Sequence, residues 1–265
     1  MRVLYSQTVL VVALGLSSGT VLAQTSDPST AVQVAMASQA DESPWQFSVS
    51  PYFWMAGIQG TSGQFNLPPA DMKSDFGQIF NELDFAFMGI VEARRGPYSI
   101  LGDLSYTKTS LKNATPQGLL ADKVGVTSEA FSALLAGGYT VYQSGRDHLD
   151  VILGTRVWNV KTTMRFQGGA LDGLKRSDSA TWVDAVAGLR GNYFLTDKAY
   201  MLAWGTIGAG QADLDWDVAA GFGYEVQKNL SLTAGYRMQG VDYSKNGFVF
   251  DVIQKGPILG LTYRF

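Results

Sequence analysis

Between positions 214 and 226 the chain alternates strictly. Leu214, Trp216, Val218, Ala220, Phe222, Tyr224 and Val226 fall on one side, and Asp215, Asp217, Ala219, Gly221, Gly223 and Glu225 on the other. A repeat of two residues belongs to an extended strand, whose successive side chains point to opposite faces. The next segment repeats it, with Leu230, Leu232, Ala234, Tyr236 and Met238 set against Ser231, Thr233, Gly235, Arg237 and Gln239. So does the last, where Leu259, Leu261, Tyr263 and Phe265 oppose Ile258, Gly260, Thr262 and Arg264. The same reading predicts strands over residues 45–58, 84–94, 98–107, 130–142, 149–161, 181–195 and 199–210. The total is about ten, with eight or twelve left open.

Two architectures share this pattern. In a water-soluble sandwich the apolar face is buried and the charged face is wet. In a membrane barrel the apolar face meets lipid and the charged face lines the interior. Two features favour the barrel. Tyr98, Tyr193, Tyr200, Tyr224 and Phe265 sit near strand ends on the apolar face, as interfacial girdles do. The connections also alternate in length: 95–97, 144–147, 196–198 and 227–229 are short, whereas 59–83, 108–129 and 166–178 are long. Short turns on one side and longer loops on the other are usual in outer-membrane barrels, and an even strand number returns both ends to the periplasm. The expected fold is therefore all-β: a transmembrane up-and-down antiparallel barrel of about ten strands, with a short helix in its first long loop.

The start of the chain agrees with export. Arg2 supplies a positive charge, residues 8–16 an apolar run, and Val21-Leu22-Ala23 a small-residue cleavage site before Gln24. The apolar run is shorter than the ~20 residues that a spanning helix needs. The expected organisation is a signal peptide at 1–23, a flexible periplasmic leader at 24–43, poor in aromatic residues, and a barrel at 44–265.

Composition narrows the chemistry. A formal net charge of -3 gives no basic field for nucleic acid. No cysteine is present, which removes disulfides, thiolate metal sites and cysteine nucleophiles. His148 is the sole histidine, in the polar run Arg146-Asp147-His148, which reads as a periplasmic turn. A Ser-His hydrolase of the outer leaflet would then lack its base, so no enzyme activity is expected. Asp213, Asp215 and Asp217 share one face, but an EF-hand needs Gly and Glu where Val218 and Tyr224 stand. No metal and no cofactor is expected, and these acids are expected to pair with luminal arginines.

Parity points Glu92, Arg94, Asp103, Asp150, Arg156, Asp184, Arg190, Asp215, Asp217, Glu225, Arg237 and Arg264 inward, as a ladder of opposite charges in a narrow lumen. The inward glycines Gly221, Gly223, Gly235 and Gly260 leave open whether a gap for water and small ions remains beside it. Because Tyr224 and Leu230 both face lipid, residues 227–229 form a three-residue turn or a bulge, with Arg237 opposite Ala219 or Asp217. In the first long loop, Ser74 is placed to cap a helix carrying Phe76, Ile79, Phe80 and Leu83 on one stripe, expected to lid the mouth.

The ending GPILGLTYRF, with Leu261, Tyr263 and Phe265 at alternate positions, resembles the C-terminal signal of bacterial outer-membrane barrels. Residues 45–265, through SPYFWMAGIQG, WVDAVAGLRG, LSLTAGYRMQGVDY and that ending, resemble a broad group of poorly characterised outer-membrane β-barrel proteins. The resemblance implies location in the outer membrane of a Gram-negative cell envelope. It implies outer-membrane lipids as surroundings, and the barrel-assembly machinery and periplasmic chaperones as partners during biogenesis. The expected role is structural, with at most narrow passive permeability to small solutes. A porin-like channel or transporter for a small or hydrophobic compound is one alternative, and an adhesion or receptor role of the loops another.

Overall fold

A computed structural model describes residues 43–114 and 122–265. The signal peptide, and the leader up to residue 42, lie outside the described residues. Twelve strands follow one another: β1 (Gln46–Trp54), β2 (Gly57–Gly63), β3 (Ala70–Ser74), β4 (Leu83–Arg95), β5 (Tyr98–Ala114), β6 (Lys123–Ser144), β7 (Asp147–Gln167), β8 (Lys175–Phe194), β9 (Ala199–Gly210), β10 (Leu214–Gln227), β11 (Leu230–Lys245) and β12 (Phe248–Arg264). A helix, α1 (Phe76–Asn81), joins β3 to β4, and a 3-10 turn (Gly169–Leu171) lies between β7 and β8.

Ten strands close into an antiparallel barrel, β1 pairing with β4 on one side and β12 on the other. The extra pair, β2 and β3, adds to the far half of β12. β1 and β2 keep one register along β12, from Ser48 opposite Arg264 to Gly63 opposite Val249. The expected single strand 45–58 is thus interrupted at Met55 and Ala56, and it resumes beyond them. The interruption faces Pro257: the Met55 N–H donates to the Pro257 carbonyl at 2.8 Å, but proline has no N–H to return. β1 and β4 part above Pro51 and Gly89, so residues 83–88 of β4 pair with β5 alone.

Over residues 214–239 charged side chains point in and large apolar ones out, and the sheet closes on itself, which excludes the sandwich. Phe222 is 61% exposed and Leu153 68%, while Asp215, Asp217 and Arg237 are buried. Apolar patches of that extent are unusual on a soluble monomer and are the lipid face of a barrel. The turn after β10 takes the bulged alternative: Glu225 pairs with Ser231, the register shifts, and Ala219 faces Arg237.

Three expectations need correction. The long loops are shorter than expected: strand takes up most of 108–129 and both ends of 166–178, since β5 runs to Ala114, β6 starts at Lys123, β7 ends at Gln167 and β8 starts at Lys175. The 22 residues of β6 extend about 75 Å, well beyond the roughly ten residues that cross a bilayer. The helix is capped by Asp75 rather than Ser74, in a reciprocal box with Gln78, because Ser74 still belongs to β3. His148 lies within β7, paired with Gln143, and the turn falls earlier, around Gly145, whose φ of 58° suits glycine.

Candidate functional site

The interior has three levels. At mid-height Arg237, from β11, donates through Nε and Nη2 to Asp217 at 3.0 and 2.7 Å, through Nη2 to Asp103 at 2.7 Å, and through Nη1 to the Tyr52 hydroxyl at 2.7 Å. Tyr52 in turn donates to Asp103 at 2.8 Å. Arg156 Nη2 donates to the same Asp217 at 3.1 Å and its Nη1 pairs with Asp215, which also accepts from Trp158 Nε1 at 2.7 Å. Asp217 therefore couples two arginines from opposite walls. Trp54 and Trp204 flank the Arg237 guanidinium at 5.1 and 5.6 Å. Burial makes each partner necessary: removing one of a buried pair strands the other at about 3–5 kcal/mol.

Towards the long-strand end the lumen fills with rings. Trp182 stacks on Tyr243 at 4.3 Å and on Trp158 at 5.9 Å, with Phe248, Phe250, Val241 and Val252 packed around them. Asp184 sits here, fully buried. It faces Arg156 across the strand pair, yet one of its oxygens accepts the Ala212 N–H at 2.8 Å, and the other has no partner among the described residues. It fastens the turn between β9 and β10 rather than joining an ion pair.

Towards the short-turn end the lumen opens into a cup of about 660 Å³. Glu92 accepts from Arg94 at 2.9 Å and Arg190 at 2.7 Å, and Arg94 also pairs with Asp150. His148 stands 3.8 Å from Asp150. Glu225 pairs with Arg146 and, at 3.2 Å, with Arg264, which reaches Ser231 at 3.0 Å. Among the described residues no group of side chains is arranged to hold a metal ion.

With this geometry the chain resembles solved bacterial outer-membrane barrels. The outer-membrane protease OmpT of Escherichia coli superposes with a TM-score of 0.54 at 13% identity, over 84% of this chain and 98% of that one. The fold is an outer-membrane barrel. The translocator domain of the autotransporter NalP from Neisseria meningitidis (TM-score 0.42, 16% identity, 89% and 98% covered) and a major outer membrane protein from Thermus thermophilus (0.41, 12%, 84% and 100%) are more distant. No protein-family model and no curated protein matches.

The other expected positions are dispersed. Asp213 is exposed at the turn before β10, its N–H donating to the Asp242 carbonyl at 2.8 Å, away from the luminal arginines. Phe265 exchanges backbone hydrogen bonds with Phe47 at 3.0 and 3.1 Å, and its ring stacks between Phe47 and Tyr263, each at 6.0 Å. Leu261 and Tyr263 point outward with it. Helix α1 does not enter the mouth. Phe76 packs edge-on against the outward Phe53 at 5.9 Å, Phe80 remains 55% exposed, Ile79 is half-buried, and Leu83 already belongs to β4. The stripe is answered by the apolar outer wall at Phe53.

Sequence reasoning missed Tyr52, Trp158, Trp182, Tyr243 and Arg146. Tyr52 and Trp54 alternate with the outward Phe53 in SPYFW, a signal that was available. For Arg146 there was none, since turn residues carry no parity.

Proposed function

We propose that this chain is an integral protein of the bacterial outer membrane, non-enzymatic, whose barrel serves as an element of the envelope and passes solutes at most narrowly. The short-turn end faces the periplasm and the extended strands face outward. The observation that carries this reading is a lumen blocked twice in series, by the satisfied Arg156, Arg237, Asp103, Asp215 and Asp217 network and by the Trp158, Trp182 and Tyr243 stack beyond it. Planar-bilayer recording tests it. The native protein is expected to be silent, Arg237→Ala/Trp182→Ala is expected to give discrete steps, and regular steps from the native protein would refute the closed lumen.

One feature favours a second reading, passage of a hydrophobic compound through the wall. Above Pro51 and Gly89 the split between β1 and β4 is flanked by outward Phe53, Phe85 and Phe87. Because the chain has no cysteine of its own, a Phe53→Cys/Phe87→Cys pair can be oxidised selectively. Flux of a hydrophobic dye that falls on oxidation would support this route, and unchanged flux would reject it.

A further inference from the structure

The periplasmic cup is divided by chemistry. Many inward positions of β1 and of β10 to β12 are small, among them Ser48, Ser50, Gly221, Gly235 and Gly260, while Glu225 and Arg264 stand at the mouth. The wall formed by β4, β7 and β8 is charged, with Glu92, Arg94, His148 and Arg190. Small residues on one side keep the space from being filled by the other, and its size falls within the roughly 300–1,000 Å³ of ligand pockets. Arg190 is 23% exposed. Its guanidinium is engaged through a single nitrogen, Nη1 to Glu92 at 2.7 Å, and among the described residues Nε and Nη2 donate to nothing. A guanidinium has five N–H donors in a planar fork suited to a carboxylate.

Charge adds direction. Arg146 and Arg264 share the one carboxylate of Glu225, and Lys228 also lines the mouth, so positive charge is in surplus where a solute enters. Such a surplus draws anions inward. Beside Arg190, directly across the strand pair, stands Trp204, an apolar surface with which the body of a ligand can make contact.

We infer that the cup is a binding site for a small organic monocarboxylate, its carboxylate held by Arg190 and its apolar body lying between Trp204 and the glycine wall. The site requires the cup to be open at the short-turn end but not the lumen to be closed, so conductance does not bear on it.

The test uses the mature chain in lipid nanodiscs, titrated calorimetrically with benzoate and with its neutral analogue benzamide at constant ionic strength. One saturable benzoate site is expected, with benzamide at least tenfold weaker. Arg190→Gln is expected to weaken benzoate at least tenfold while heat-modifiable gel mobility stays native, and Arg165→Gln, on the distal extension of β7, is expected to change nothing. In the unsubstituted protein benzoate is expected to change tryptophan fluorescence, and Trp204→Phe to abolish that change. No saturable heat below ~10 mM benzoate, equal binding of benzamide, or native affinity in a folded Arg190→Gln protein would each overturn the assignment.

Discussion

At the short-turn end the inward positions of β10, β11 and β12 include Gly221, Gly235 and Gly260; farther along two of the same strands they become Val241, Tyr243, Phe248, Phe250 and Val252. The strand rule is identical in both halves, and only side-chain volume changes. One half holds partly exposed ion pairs around open space, and the other holds buried pairs capped by stacked rings. Alternation decides which residues face the lumen, while their size decides whether there is a lumen.

That contrast can be broken in measurable ways. The largest effects belong to the blocked half. Arg237→Ala leaves Asp103 without a cation and Asp217 with Arg156 alone, and a loss of about 3–5 kcal/mol is expected. Trp182→Ala removes a fully buried ring and costs a similar amount, about 3–5 kcal/mol. Both are read from urea unfolding in lipid vesicles, followed by gel mobility. Next comes the outer face as a control: Leu153→Arg at mid-membrane is expected to cost about 2–4 kcal/mol in the same assay. In the cup, Glu225→Gln disturbs pairs whose arginines are exposed to water, so about 1 kcal/mol or less is expected. If Glu225→Gln proved as damaging as Arg237→Ala, the two halves would not differ as described. Smallest of all, deletion of residues 76–83 is expected to leave ion conductance unchanged, since α1 lies along the wall; an increase would restore the idea of a lid.

How far the sequence reached depends on where water is. Residues 214–226 and 230–239 have lipid on one face and a wet or ionic interior on the other, so their alternation is strict and even the two permitted registers could be written down. β5 to β8 continue past the length that crosses a bilayer, and there polar side chains occur on both faces, Thr162 inward and Thr127, Thr163 and Ser177 outward. Polarity then stops alternating, and the extensions read as loops. The reverse fault affected Asp184. Its inward parity was correct to read, but parity does not choose between an arginine and a backbone N–H as partner. The aromatic stack was hidden for a different reason, because inward Trp182 and Tyr243 break the polar-in rule on which the strand assignment relied. Pro257 was visible in the sequence, but its effect on the opposite strand required knowing that β1 and β12 are neighbours.

The joint between β1 and β12 brings Ser50 within 2.8 Å of Thr262, 212 positions away. No local hairpin prepares that meeting, so the first strand must wait, with one edge bare, until nearly all the others are in place. Hydrocarbon offers such an edge no substitute partner. Insertion and circularisation are therefore bound into one event, and a half-inserted sheet of this chain has no resting place in the bilayer.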